Sequence, residues 1–222
     1  MVTLFWGPVL SAQVPGYLGL LPNDHGIRTL LRFAESEATV APVEDFGELA
    51  DFRPATAFPS VGDGYTGRAR VFNGTTGIQA TDAAGRLVLA RTVSVVALAS
   101  WDAQATSGPD TLIVHGARGT SAERRSWGLR VAAPSAGVGR LEWVWEDRAG
   151  VEKLQPGGEF FAPASGFLLL AATREWAGSK FLIRYWAGET LLAEHESTDL
   201  EVGGGLPATV TIGCAGDGLG GF

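Results

Sequence analysis

Short apolar stretches separated by turn residues run through most of the chain from residue 67 to residue 213. Residues 141–146 read LEWVWE, so leucine and two tryptophans alternate with glutamate, valine and glutamate. A period of two is typical of a β-strand with one buried face. Similar stretches, many rich in valine, leucine and threonine, are bounded by glycine-containing turns. The pattern predicts about eleven short strands and little helix, as in a sandwich or barrel.

The turn residues predict how some of these strands are connected. Asn73-Gly74 is a strong hairpin signal because both residues tolerate positive φ, so we expect strands 68–72 and 77–80 to pair. We interpret Ala149-Gly150 and Pro156-Gly157-Gly158 as turns. The remaining predicted strands are residues 87–91, 92–101, 111–116, 126–132, 140–147, 167–174, 180–187, 190–196 and 209–213.

The region before residue 67 is less regular. Residues 1–26 form a predicted arm, in which residues 2–6 could be a strand before a series of prolines ends regular structure. Two interpretations stay open: a partly ordered tail, or an apolar arm that packs on a neighbouring subunit. Residues 29–33 predict a short opening strand, and residues 35–58 predict an irregular excursion, since Pro42 weakens a helix there.

Composition excludes several function classes. The 222 residues include 24 acidic and 17 basic side chains, a net charge of -7, which argues against a nucleic-acid or anionic-membrane partner. The single cysteine, Cys214, excludes an internal disulfide and is expected to be a small buried apolar residue. The longest apolar run, residues 166–173, is too short to span a membrane as a helix. The N-terminus lacks the basic start of a signal peptide.

The order of segments resembles the concanavalin A-like lectin/glucanase superfamily, in particular its laminin-G-like jelly rolls. The segments that carry this resemblance are YTGRARVFNGTTGI at residues 65–78, VSVVALASW at 93–101, GFLLLAATR at 166–174, KFLIRYWAGETLLA at 180–193 and the strand at 209–213. The resemblance implies an all-β, two-sheet antiparallel jelly-roll sandwich over residues 27–222, preceded by the arm at residues 1–26.

One departure from the family concerns a missing strand. Such domains close with a strand that pairs beside the first one, but this sequence stops at Phe222, where that strand should begin. Either the natural protein continues, or another segment takes the position. We expect the arm at residues 2–6, from this chain or from a neighbour, to fill it, because an open central edge invites aggregation.

Catalytic signatures are weak. Glycan hydrolases of this superfamily carry carboxylates at alternate positions of one strand, and only Glu142 and Glu146 resemble that arrangement, with Val144 at the central position. Four residues apart on a strand, their carboxylates should stand roughly 13 Å apart at about 3.3 Å per residue. That separation suits neither hydrolytic geometry, so we expect a solvated face. A Gly-x-Ser-x-Gly elbow is missing as well, and the sequence predicts a protein that is not an enzyme.

Binding is the alternative chemistry. We expect Trp127 and Trp176 to be exposed and, with Arg124 and Arg125, to contact a ligand such as a sugar. Laminin-G-like domains sometimes bind calcium at their rim loops, where Asp102 and Asp110 could be joined by Asp63 or Asp82. A site would need six or more oxygens, and no such cluster is visible, so no cofactor is expected.

The resemblance implies a non-catalytic structural or binding module of a larger assembly, in particular a phage tail, fibre or capsid-surface protein. A glycan-binding lectin or adhesin domain is the alternative, and a divergent glycan hydrolase is the third interpretation. The expected partners are other subunits, contacted through the arm, and a cell-surface glycan, without nucleic acid or membrane insertion. The expected location is a virion or the cell exterior.

Overall fold

The computed structural model describes residues 2–5, 52–55, 59–64, 67–72, 76–83, 87, 92–101, 109–116, 126–147, 149–162, 166–198 and 208–214. Within these ranges the regular elements are all β-strands, and no helix suited to crossing a membrane occurs among them. The strands are β1 Val2–Phe5, β2 Arg53–Pro54, β3 Ser60–Gly64, β4 Gly67–Phe72, β5 Ile78–Asp82, β6 Thr92–Trp101, β7 Asp110–His115, β8 Trp127–Ser135, β9 Val138–Glu146, β10 Glu152–Phe161, β11 Leu168–Trp176, β12 Phe181–Ala187, β13 Thr190–Ser197 and β14 Ala208–Ile212.

The strands form two seven-stranded antiparallel sheets. The first sheet has the order β13-β12-β11-β6-β1-β4-β3, and the second sheet has the order β10-β9-β8-β7-β14-β5-β2. Alternate side chains from both sheets meet in one apolar core, whose largest members include Phe52, Phe72, Trp127, Leu129, Leu141, Trp143, Leu170, Ile183 and Tyr185. The predicted all-β, two-sheet antiparallel sandwich is therefore confirmed.

The N-terminal strand β1 lies inside the first sheet. It pairs antiparallel with β4 on one side and with β6 on the other, so Val2 stands opposite both Phe72 and Trp101. The prediction of a strand near residues 2–6 is confirmed, and it takes a central position in the sheet of its own chain. Residues 29–33, most of the excursion at 35–58 and the boundary after residue 26 lie outside the described residues, and contact between the arm and another subunit stays a prediction.

The predicted hairpin between residues 68–72 and 77–80 is wrong. Strand β4 belongs to the first sheet, where it pairs with β1 and β3, whereas β5 belongs to the second sheet, where it pairs with β14 and β2. Phe72 and Ile78 therefore enter the core from opposite layers, and both are fully buried. A local turn signal in the sequence does not determine which sheet contains the next strand.

Strand β10 was not predicted, because Pro156-Gly157-Gly158 was interpreted as a turn. These residues lie within the strand, at a register shift between Pro156 and Glu159. A Cβ atom on Gly157 would stand 2.7 Å from Cγ of Tyr185, and one on Gly158 would stand 2.4 Å from the carbonyl oxygen of Leu192. The glycines thus form a β-bulge that allows β12 and β13 to approach closely.

Tyr185 connects the two sheets at this bulge. Its hydroxyl donates a 2.7 Å hydrogen bond to the carbonyl oxygen of Gln155, so a β12 side chain holds the β10 backbone. Burial raises the pKa of Tyr185 far above its ordinary value, although a hydrogen bond involving the Trp143 backbone acts in the opposite direction. The nearby negative charge of Glu142 raises the pKa further. The neutral phenol is therefore the form that the folded protein requires.

We expect Tyr185 to make the protein sensitive to alkali. Because its pKa is raised by folding, its contribution to stability is complete below about pH 10 and is lost as the pH rises beyond that ordinary value. Near neutral pH, Tyr185→Phe should lower the free energy of unfolding by about 1 kcal/mol through the lost hydrogen bond. Above about pH 10 that difference should shrink, as urea unfolding across a pH series would measure. Parallel stability curves for the two proteins would contradict this role.

Candidate functional site

Strands β8, β9 and β10 present one face of the second sheet away from the core, called here the outer face. Leu141, Trp143 and Trp145 point into the core, so the alternate residues of β9 point to the outer face. Cross-strand partners lie on the same side of an antiparallel sheet, which places their β8 and β10 neighbours there too. The successive rows are Glu146 and Glu152; Gly128, Val144 and Leu154; Arg130, Glu142 and Pro156; Arg140 and Glu159; Val138 and Phe161.

Glu142 lies at the centre of an ion-pair network on this face. Its Oε2 accepts a 2.7 Å hydrogen bond from Nε of Arg130, and its Oε1 accepts bonds of 2.8 Å and 3.2 Å from Nη2 and Nε of Arg140. The residue is 2% exposed, so the expectation that the β9 glutamates form a solvated face is wrong. Two guanidinium groups supply the charge and the donors that a buried carboxylate needs.

Two further carboxylates face each other across neighbouring strands. Glu146 of β9 is the direct register partner of Glu152 of β10, so their Cβ atoms stand about 4.5–5.5 Å apart. The Glu146 residue is 1% exposed, and the Glu152 side chain is 25% exposed. Nη1 of Arg130 lies 3.6 Å from Oε1 of Glu152 and offsets the repulsion between like charges. The outer face therefore holds a close pair of acidic groups beside an arginine.

The turn between β9 and β10 fixes this pairing. Oδ1 of Asp147 accepts hydrogen bonds of 2.9 Å from the backbone N–H groups of Ala149 and Val151. The N–H group of Gly150 donates to the Asp147 carbonyl, and Gly150 has a φ of 80°. The hydrogen bond from Val151 is the largest cause that holds the pKa of Asp147 below its ordinary value. Since hairpin register follows from turn geometry, this turn places Glu146 opposite Glu152.

This pair was not predicted from the sequence, because Glu146 and Glu152 lie on different strands and β10 was not predicted. The turn at Ala149-Gly150 was predicted correctly, and a hairpin drawn through it would have paired residue 146 with residue 152. The second strand of this hairpin, β10, was not predicted because it contains Pro156-Gly157-Gly158, which is typical of a turn. The signal was therefore present in the sequence, but its glycines were interpreted as the end of structure rather than as a bulge.

A second polar cluster lies in the core. Nδ1 of His115 contacts the hydroxyl of Ser126, and Nε2 of His115 lies 3.1 Å from Oδ2 of Asp82. The backbone N–H of Leu87 also donates to that carboxylate oxygen at 2.8 Å. The Ser, His and Asp residue types match a nucleophilic triad, although the sequence gave no sign of one because they lie far apart in the chain. His115 lies on the core side of the second sheet, where it stacks on Trp127, so this cluster is part of the core and does not point to the outer face.

The structure describes two of the four predicted binding residues, Trp127 and Trp176. Trp127 is 2% exposed, so its expected exposure is wrong; it stacks between His115 and Trp143, and its Nε1 donates to the Leu87 carbonyl at 2.8 Å. Trp127 belongs to the core because it occupies an inward position of β8, which leaves no ring face for a sugar. Trp176 ends β11 and packs edge-on against Phe181, half-buried, so its ligand contact stays a prediction. Arg124 and Arg125 lie outside the described residues.

The calcium alternative gains no support from the described aspartates. Asp82 and Asp110 are buried, Asp102 lies outside the described residues, and only the backbone of Asp63, in β3, is described. In the part of the chain that the structure describes, no three metal-binding side chains cluster. The expectation of no cofactor stays a prediction. Cys214 is buried, as predicted for a small apolar residue.

Comparison with known proteins gives matches at the level of fold. No protein-family model matches the chain, and no curated protein matches it either. Solved structures that match include an alginate lyase from Alteromonas sp. 272 (12% identity, TM-score 0.35), the polysaccharide lyase family 18 protein aly-SJ02 r-CATD (12%, 0.36) and LamAcat from Zobellia galactanivorans (11%, 0.34). The matches cover 64%, 64% and 62% of this chain and 61%, 62% and 57% of those chains.

These comparisons correct two expectations. The chain was expected to be a non-catalytic module of a phage virion and not an enzyme, but the first two matches are polysaccharide lyases, which are glycan-cleaving enzymes. Both expectations rested on the carboxylates of β9 alone, whereas the neighbouring strand β10 carries a further carboxylate, Glu152, opposite Glu146. The likeness to these structures shows the fold alone.

We expect Glu142 to contribute more to stability than an exposed ion-pair partner does. Glu142→Gln keeps the side-chain shape but removes the charge that two arginines contact, and it should lower the free energy of unfolding by about 2 kcal/mol. The matched control is Glu194→Gln, which affects a surface pair with Arg184 at 2.5 Å and should cost less than about 1 kcal/mol. Equal urea midpoints for the two variants would contradict the buried network.

Proposed function

We propose that this chain is a polysaccharide-cleaving enzyme whose substrate lies along the outer face of the second sheet. The single observation that carries the proposal is the register that sets Glu146 directly opposite Glu152. Two carboxyl groups on either side of a glycosidic bond are what most glycoside hydrolases require. The proposal adopts the interpretation of a divergent glycan hydrolase, and the order of segments supports the finer assignment to the laminin-G-like jelly rolls.

The separation of the pair favours one stereochemical course. Carboxyl groups about 5–5.5 Å apart act as nucleophile and acid, whereas inverting pairs stand further apart to admit a water molecule. With their Cβ atoms about 4.5–5.5 Å apart, as in direct cross-strand partners, the two side chains can bring their carboxyl groups to the closer separation. We assign a retaining mechanism, in which a covalent glycosyl-enzyme forms and is then hydrolysed.

The surroundings of the two glutamates suggest their roles. Arg130 places positive charge 3.6 Å from Glu152, which suits the carboxylate that attacks the anomeric carbon. Glu146, the register partner of Glu152, is then the proton donor to the departing sugar oxygen. In the second step Glu146 takes a proton from water, and the water oxygen displaces Glu152 from the sugar.

Arg130 is a positioning residue in this scheme. Its Nε holds Glu142 at 2.7 Å while its Nη1 reaches Glu152, so the buried Glu142 fixes the guanidinium that faces the nucleophile. Arg140 binds the other oxygen of Glu142 and keeps that carboxylate in place. The network therefore supports the carboxylate pair from the neighbouring row of the sheet.

The experiment incubates the purified chain with soluble neutral glucans and with uronate polymers. Hydrolysis and elimination both yield new reducing ends, but only elimination by a lyase yields an unsaturated sugar that absorbs ultraviolet light. Against a polymer that the wild type cleaves, Glu146→Gln and Glu152→Gln should each lower kcat by about 100-fold or more, since each removes an acid, base or nucleophile. Glu196→Gln, on the first sheet, is the control and should leave kcat unchanged.

The product configuration gives a second readout that a structural role would not move. Nuclear magnetic resonance of the first product should show retention at the anomeric carbon. Inversion, an unsaturated product, unchanged activity in both glutamine variants or no cleavage of any polymer by the wild type would each count against the proposal.

A further inference from the structure

Phe161 is the most exposed large apolar side chain in the part of the chain that the structure describes, at 86%. Its neighbour Phe160 is 7% exposed and belongs to the core, so the two rings point to opposite faces of β10. The backbone there is held in the ladder: Phe161 pairs with Val138, and the N–H of Ala162 donates to the Gly137 carbonyl at 3.0 Å. An exposed aromatic ring therefore stands at a fixed position.

Charged groups lie beside this ring on the same face. The neighbouring row contains Arg140 and Glu159, which are register partners. The Arg140 side chain is partly exposed although it binds Glu142, and Glu159 is exposed. A ring with hydrogen-bonding groups at its side matches the two surfaces of a sugar, which has an apolar C–H face and a rim of hydroxyl groups. A protein-binding patch would instead need a broader apolar area than one ring with a charged row beside it.

The position along the sheet indicates a long ligand. Val138, beside Phe161, precedes Glu146 of the carboxylate pair by eight positions along β9. At about 3.3 Å per residue, the ring stands roughly 26 Å from the proposed point of cleavage. A chain of several linked sugars is needed to reach both positions. The two sites lie on one continuous face of β9 and β10, so a single extended polymer could contact both.

We propose that Phe161, with Arg140 and Glu159, forms a distal subsite that stacks on a sugar ring of a long polysaccharide. The inference rests on the proposed function, because the carboxylate pair sets the direction in which the polymer lies along the sheet. The stacking contact itself depends only on the exposed ring of Phe161. Such a subsite makes the protein prefer polymers to short oligosaccharides, because only a polymer gains the additional contact.

The test compares Phe161→Ala with Phe161→Trp, using a polymer and a short oligosaccharide of the same sugar. Phe161→Ala should raise KM for the polymer about 5- to 10-fold, the loss expected for one stacking contact, and leave kcat on the oligosaccharide unchanged. Phe161→Trp retains a stacking face and should stay within about twofold of the wild type. Because the ring is exposed, both variants should keep the wild-type melting temperature.

Binding measured without turnover separates this inference from the proposed function. In a Glu152→Gln background, retardation by the polymer in affinity electrophoresis should weaken when Phe161→Ala is added. If the wild type cleaves the polymer but Phe161→Ala changes neither KM nor retardation, the subsite is wrong and the enzyme proposal stands. If no polymer is cleaved but retardation depends on Phe161, the subsite stands and the enzyme proposal is wrong. A loss of self-association in Phe161→Ala without any effect on the polymer would identify a protein interface and overturn the subsite.

Discussion

The alternation of side chains along β9 is the constraint on which the site depends. Leu141, Trp143 and Trp145 are almost entirely buried in the core, and each large apolar side chain contributes roughly 1.5–3 kcal/mol when buried. A register slip of one residue would turn this set outward and bring the two glutamates of β9 into the apolar layer. The hydrophobic effect thus fixes the orientation of the polar residues without any direct interaction with them.

Three local features fix the position of β10: a hydrogen-bonded turn, a glycine bulge and a side-chain hydrogen bond to its backbone. Asp147 closes the hairpin through its backbone hydrogen bonds, and the glycine bulge allows β12 and β13 to come close. The hydroxyl of Tyr185 then ties the middle of β10 to the first sheet. Together these contacts hold an edge strand that carries Glu152 at one end and Phe161 at the other. A strand of this kind would otherwise be weakly specified, because it has a ladder partner on one side only.

The sequence predicted much of the sandwich but little of the site. Local patterns were sufficient for β6, β9, β12 and β13, because apolar residues alternate along β9, the other three segments are rich in apolar residues, and glycine-containing turns bound the segments. Turn chemistry failed at Asn73-Gly74 and at Pro156-Gly157-Gly158, since neither signal specifies the partner strand. The His115 cluster and the burial of Trp127 arise from contacts between residues distant in sequence, which alternation cannot reveal. The Glu146–Glu152 pair was partly predictable. The turn at Ala149-Gly150 was predicted correctly, but the strand that carries Glu152 was not.

The register between β9 and β10 is tested most directly by paired cysteines in a Cys214→Ala background. Glu146→Cys combined with Glu152→Cys should form a disulfide under mild oxidation, because direct cross-strand partners bring Cβ atoms near the required separation. Glu146→Cys combined with Lys153→Cys should not, because those side chains point to opposite faces of the sheet. A disulfide in the second protein and none in the first would show that the two glutamates do not face each other.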